Sequence, residues 1–227
     1  MTNRIAELED AKKNNGKAKQ KGVRNVQILP PNLRTAEFTI IGTAPYVQNK
    51  FSAKAREQMK AVQEAGSTAR GKKKREPKDF AKCYEDAMHV SREGWHGIPA
   101  PSFRNAMISA CRIVGFTMTR AKLAVFVEAN GFDSDDGTPL VKITKGKPDY
   151  FEMYVRNETG VVDIRPRPMW PEGWEAVVSV TFDADMFTFE DITNLLSRVG
   201  MQVGIGEGRP DSKKSCGMGW GTFRLKS

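Results

Sequence analysis

Seven glycines fall within 22 positions near the carboxyl end: Gly200, Gly204, Gly206, Gly208, Gly217, Gly219 and Gly221. They crowd around Arg209, Lys213 and Lys214. Backbone freedom on that scale costs entropy on folding, so something must approach the main chain closely there. Successive glycines can turn amide N–H groups outward into a concave anion site, and the three cations would add charge to it. Such a site suits a phosphodiester backbone because it asks nothing of base identity. The same glycines fit a second reading, in which Gly204 and Gly206 let a helix pack tightly on the last strand.

Other chemistry-bearing residues are sparse. The two histidines, His89 and His96, flank one predicted hairpin, and either could serve as a general base toward a hydroxyl. No HExxH, GxSxG or GxxxxGK[ST] pattern occurs. The stretch "GIGEGR" (204–209) follows a helix and carries Arg209 where a dinucleotide fingerprint needs its third glycine. Asp133, Asp135 and Asp136 miss a calcium loop because Gly137 falls one position early, so a solvated hairpin tip is expected. Cys83, Cys111 and Cys216 form no CxxC pair, which excludes a cysteine zinc site and a disulfide framework and implies reduced thiols. No catalytic residue, metal or cofactor is expected.

The chain carries a net charge of +9, which favours an anionic partner. The excess is localised. Residues 1–24 hold seven Lys/Arg against three Asp/Glu, and residues 50–82 hold eleven against four, so the remainder is close to neutral. Residues 1–25 read as a mobile basic arm, followed by a single domain over 26–227. Eighteen apolar residues never run together, and no apolar leader opens the chain. A soluble, cytoplasmic protein with no membrane partner is expected.

Periodicity then supplies the elements. "AEFTIIG" (36–42) reads as a first strand, 51–63 as a short helix, 64–79 as a basic loop and 82–101 as an extended or hairpin segment. Phe103, Ala106, Met107, Ala110, Cys111 and Val114 form one apolar stripe, opened by Pro101 and closed by Gly115. Residues 121–130 read as a strand. "LVKI" and "YFEMYVRN" extend the same sheet, 161–174 is a proline-broken connection, and 174–182 alternates as a strand. Thr188 and Asp191 suggest a capping box for a helix with the stripe Ile192, Leu195, Leu196 and Val199, ended by Gly200. Residues 220–225 close the order as a strand. Without its insertions this is β-α-β-β-α-β: an α+β, ferredoxin-like (RRM-like) core with a long basic finger inserted after the first strand, at 48–96. One sheet face is then left free for a ligand, and single-stranded RNA binders of the RRM type use it that way.

Cations and aromatics suited to a strand sit in several places. Lys72, Lys73, Lys74 and Arg75 would clamp phosphates from a loop, and Arg104 would hold backbone at the start of the first core helix. Arg165 and Arg167 flank Trp170, and Trp220 follows the glycine-rich stretch. Stacking on such aromatics contributes roughly 1–3 kcal/mol per base.

Three stretches together, "FTIIGTAPYV" (38–47), "GIPAPSFRNAMISACR" (97–112) and "VGIGEGRPDSKKSCGMGWGTFRL" (203–225), resemble the ordered marks of the RAMP superfamily. Its members supply backbone and RNA-handling subunits of CRISPR effector complexes. Ile98, Pro99, Ser102, Phe103, Arg104 and Arg112 match the second mark, and Gly204, Gly206, Gly208, Arg209, Gly217 and Gly219 the third. The chain also resembles proteins encoded by tailed bacteriophages. The resemblance implies an RRM-like core with an inserted finger, and subunits that line up along a strand without reading its sequence. The expected function is a non-catalytic, sequence-tolerant binder of single-stranded DNA or RNA that forms homo-oligomers or filaments. The alternatives are a virion or host-interaction structural protein and a metal-independent RAMP-type endoribonuclease using His89 or His96.

Overall fold

The computed structural model describes residues 28–64, 78–156, 160–212 and 217–226. The expected arm at 1–25 and the run Lys72, Lys73, Lys74 and Arg75 lie outside them, as do Lys213 and Lys214. The chain divides into Met1–Pro31 and Asn32–Ser227, and the second unit is the one described below.

A long strand, β1 (Leu33–Gly42), buries Phe38, Ile40 and Gly42 on one face and leaves Thr35, Glu37 and Thr39 on the other. Period-2 alternation of this kind marks a sheet packed on one side only. The order continues with β2 (Tyr46–Val47), α1 (Ala53–Glu64), α2 (Phe80–Glu85), β3 (Gly97–Pro99), α3 (Ala100–Ala110), α4 (Met118–Ala124), β4 (Val125–Val127), β5 (Gly131–Phe132), β6 (Pro139–Lys145), β7 (Asp149–Arg156), β8 (Val162–Trp170), β9 (Glu175–Asp183), α5 (Phe189–Arg198), a π-helical turn (Val199–Val203) and β10 (Phe223–Leu225).

The protein is an α+β fold with two antiparallel sheets. In the larger, β10, β1 and β9 are neighbours, β4 and β6 both pair with the far side of β9, and β3 and β5 pair with β6. The smaller runs β2-β8-β7. One core joins the inner face of the large sheet (Phe38, Ile40, Ala176, Val178, Val180) to Phe103, Met107, Ala110, Ile192 and Leu196 of the helices.

Several elements depart from the sequence reading for identifiable reasons. The helix expected to close at Gly115 stops at Ala110, and Val114 is about half exposed. Of residues 121–130, read as strand, 125–127 are strand β4, but 121–124 belong to α4 (Met118–Ala124), where Ala121 and Ala124 bury one helical turn apart and Arg104 binds the carbonyls of Lys122 and Val125. The segment 82–101 opens as helix α2, capped by the Asp79 side chain accepting from the Lys82 amide. Of "YFEMYVRN", the described residues 150–156 leave the main sheet and, with Asp149, pair with 162–169. That partner is a strand despite its prolines. Pro166 and Pro168 lie opposite Glu152 and Tyr150, where no donor toward β7 is required, and the Pro168 carbonyl turns away to accept from the Gln48 amide. The Thr188–Asp191 capping box is present, with both reciprocal bonds made. Its helix runs past Gly200 as the π turn, because a Cβ at Gly200 would lie 2.1 Å from the Phe223 carbonyl oxygen.

Candidate nucleic-acid interface

The glycine-rich segment folds back on the protein. Gly206 takes a positive φ of 78°, and a Cβ there would lie 2.5 Å from the Val47 carbonyl oxygen. The Glu207 amide donates to that same oxygen at 2.9 Å, the Ile205 amide to Gly221 at 3.0 Å, and the Asp211 amide to Val203 at 3.1 Å. Close packing therefore accounts for much of the glycine content. The amides of Gly206, Gly208 and Arg209 meet no acceptor among the described residues. Arg209 donates from Nη1 to the Gly206 carbonyl at 3.1 Å, pinning the loop; it makes no ion pair within 4.0 Å among the described residues, though its charge helps hold Asp211 below the usual carboxylate range.

The β7–β8 ribbon lies against this loop. Arg167 Nε donates to Glu207 at 2.5 Å, and Phe151, which pairs with Arg167, meets Trp220 edge to face at 5.7 Å. Trp220 covers Gly208. Arg165, two residues from Arg167 on the same face of the ribbon, donates to Asp163 at 3.1 Å. Tertiary structure thus brings together Arg165, Arg167, Gly204, Gly206, Gly208, Arg209 and Trp220.

It separates two others from them. Trp170 is fully buried, packed on Tyr46 and His96, so it offers no face to a base; the stacking role expected of it is corrected by its place in the core. Arg104 spends Nε and Nη2 on the carbonyls of Val125 and Lys122 and lies over the Phe126 ring, which makes it a staple between α3 and β4. Arg167 is itself buried, and its charge is answered by Glu207.

The outer face of the large sheet carries Thr35, Glu37 and Thr39 of β1, Ser179 and Thr181 of β9, and Phe126 and Glu128 beside them. Glu37 accepts from Ser179 and Glu128 from Thr181, with no cationic partner for either among the described residues. Farther along the same face Lys145 and Lys226 answer Glu175, Arg224 stands across from Ile41, and Arg104 lies over the Phe126 ring, so the face mixes both signs of charge.

A buried polar cluster escaped the sequence reading. Asp133, expected at a solvated tip, has no exposed surface. It accepts from Lys50 Nζ at 2.6 Å and lies 2.8 Å from His89 Nδ1, while Asp135 and Asp136 face Arg56. Gln48, buried beside them, donates to Gly97 and accepts from the His89 amide. These bonds tie both ends of the 48–96 insertion to the 131–138 turn. Burial pushes the Asp133 carboxyl up, but hydrogen bonds from Lys50, the Asp135 amide and His89 outweigh it and hold the group below the usual carboxylate range. Burial pushes His89 down, only partly opposed by Asp133. His89, Asp133 and Asp136 could offer a metal one imidazole and two carboxylates within 4.8 Å of one another, yet Lys50 and Arg56 already occupy those carboxylates. Nothing local in the sequence signals the pairing, because Lys50, His89 and Asp133 are far apart along the chain.

No protein-family model matches the chain, and no curated protein matches it. Among solved structures, one that is similar is a chain of the type III-B Cmr-beta complex bound to cognate target RNA, determined by cryo-EM. It aligns at a TM-score of 0.45 and 11% identity over 99% of this chain. The present chain spans 66% of that chain's length. Similarity at that level identifies neither fold family nor function.

Proposed function

We propose that this protein is a non-catalytic, sequence-tolerant binder of single-stranded nucleic acid whose strand lies along the glycine-rich loop, beside its contact with the β7–β8 ribbon. The observation that carries this reading is the state of Arg209. It is a loop cation that makes no ion pair within 4.0 Å among the described residues, although Asp211 feels its charge, and it lies next to three amides without acceptors among those residues and beside the partly buried Trp220. Backbone amides and a guanidinium recognise phosphate without regard to base. The basic runs at 1–24 and 50–82 would add long-range attraction.

The core is read as ferredoxin-like. The order β10-β1-β9 followed by β4, with α3 between β1 and β4 and α5 between β9 and β10, supports that assignment. The motif resemblance to the RAMP superfamily supports a subunit that assembles along a strand; the separate resemblance to tailed-bacteriophage proteins supports a phage-encoded one, and the unpaired cysteine pattern a cytoplasmic one.

Filter binding to matched single-stranded DNA, single-stranded RNA and duplex at two salt concentrations tests the reading. Preference for single strands is expected, with each neutralised phosphate contributing about 0.7 to the log–log salt slope. Absence of binding at low ionic strength overturns it.

One observation favours a second reading. His89 is oriented by Asp133 through Nδ1, which leaves Nε2 as an acceptor, the arrangement a general base needs. Incubation with labelled hairpin RNA separates the two, since intact RNA after long exposure removes the endoribonuclease.

A further inference from the structure

Strand β7 is the outer strand of the small sheet. Among the described residues its eight positions pair with β8 alone, and no amide of 149–156 donates elsewhere. Natural sheets usually blunt such an edge with proline, lysine, a bulge or a covering element. The stretch "DYFEMYVR" contains neither proline nor lysine, and its pairing with β8 runs without a bulge.

The direction of the free backbone groups follows from the partner strand. Tyr150 and Glu152 stand opposite Pro168 and Pro166, which have no N–H to give, and the Pro168 carbonyl is taken by Gln48. The amides and carbonyls of Tyr150, Glu152, Tyr154 and Arg156 therefore point away from β8, toward the open edge. Their side chains share one exposed face, while Phe151, Met153 and Val155 share the other, half buried.

We propose that this edge pairs antiparallel with the same edge of a second copy of the chain, forming a two-fold dimer with a continuous six-stranded sheet. A two-fold axis normal to the sheet pairs only positions whose numbers sum to an even value. Two registers of that kind keep seven residues of each strand paired. One sets Glu152 against its own copy, placing like charges directly opposite, which is destabilising. The other puts Met153 at the axis, Phe151 across from Val155, and Tyr150 across from Arg156, and it sets Glu152, which accepts from the Tyr150 hydroxyl of its own strand, across from Tyr154 rather than from its own copy. The strand is thus self-complementary in one register, and a second copy is its occupant. The isologous contact also covers Tyr154, which is 68% exposed in the single chain.

The dimer is tested on the full chain after nuclease treatment, so that no bound strand can bridge copies. Sedimentation equilibrium is expected to give twice the chain mass. Tyr154→Pro removes an outward N–H without touching the β7–β8 bonds, and is expected to give single-chain mass with unchanged far-UV circular dichroism. Met153→Cys is expected to form an interchain disulfide on oxidation, because a non-hydrogen-bonded pair at the axis brings Cα atoms within bridging range. Glu152→Cys and the wild type are expected to remain uncrosslinked. A wild-type monomer overturns the proposal. So does a dimer that survives Tyr154→Pro, or crosslinking that fails at position 153.

Discussion

Arg209 is the residue on which the proposed binding turns, because the other loop-side cations are engaged: Arg167 with Glu207 and Arg165 with Asp163. Arg209→Ala is expected to weaken binding to an unstructured oligonucleotide several-fold and to lower the log–log salt slope by about 0.7, read from filter binding across a salt series. Asp133 makes a different kind of prediction. Removing one partner of a buried charged group strands the others, so Asp133→Ala should cost about 3–5 kcal/mol in urea unfolding, with His89 left without its carboxylate and Lys50 left with Asp135 alone. The histidines set the pH dependence. Burial lowers both His89 and His96 from their ordinary value of 6.5, so the unfolded chain takes up protons before the folded one does. Stability is full above that value and falls as pH drops below it toward the folded-state values. A lower urea midpoint at pH 5.5 than at pH 7.5 is the expected result, and the opposite order would contradict it.

At the scale of elements, the glycine-rich loop serves packing and anion binding at once. Its positive-φ positions let it pass under Trp220 and against Val47, and they leave the amides of Gly206, Gly208 and Arg209 without an acceptor among the described residues. Gly206→Ala therefore has two costs, left-handed backbone and a 2.5 Å approach to a carbonyl oxygen. It should lower stability by more than the roughly 1 kcal/mol of a simple glycine-to-alanine mismatch and weaken binding together with it, measured by unfolding and filter binding on one preparation. Helix α5 was legible because capping box and stripe are local patterns. Helix α4 was not, since its decision rests on Arg104 reaching from another helix to its last carbonyls. The ribbon strand β8 was hidden by its prolines, whose compatibility depends on which edge each one faces.

Taken whole, the molecule places its charges unevenly. The outer sheet face holds Glu37 and Glu128 without a cation among the described residues, and the loop–ribbon side holds Arg209 with no ion pair closer than 4.0 Å there. If the strand follows the glycine-rich loop, Glu37→Gln combined with Glu128→Gln should change affinity by no more than about twofold at physiological salt, since exposed charges beyond roughly a Debye length are screened. A large gain in the same binding assay would instead put the strand on the sheet.

Sequence alone determined the α+β class, the first and last core strands, the two core helices and the localisation of positive charge. Each of these is written in neighbouring residues: an alternation of period two or 3.6, a cap, a run of lysines. The tertiary structure decided what depends on distance in space. It sent Trp170 to the core and Trp220 to the loop, although both are tryptophans near arginines in the sequence. It also buried Asp133 against Lys50 and His89, where a cluster of aspartates beside a turn reads locally as solvated. Burial and charge pairing are properties of what the fold brings within a few ångströms, and a linear pattern carries no record of that.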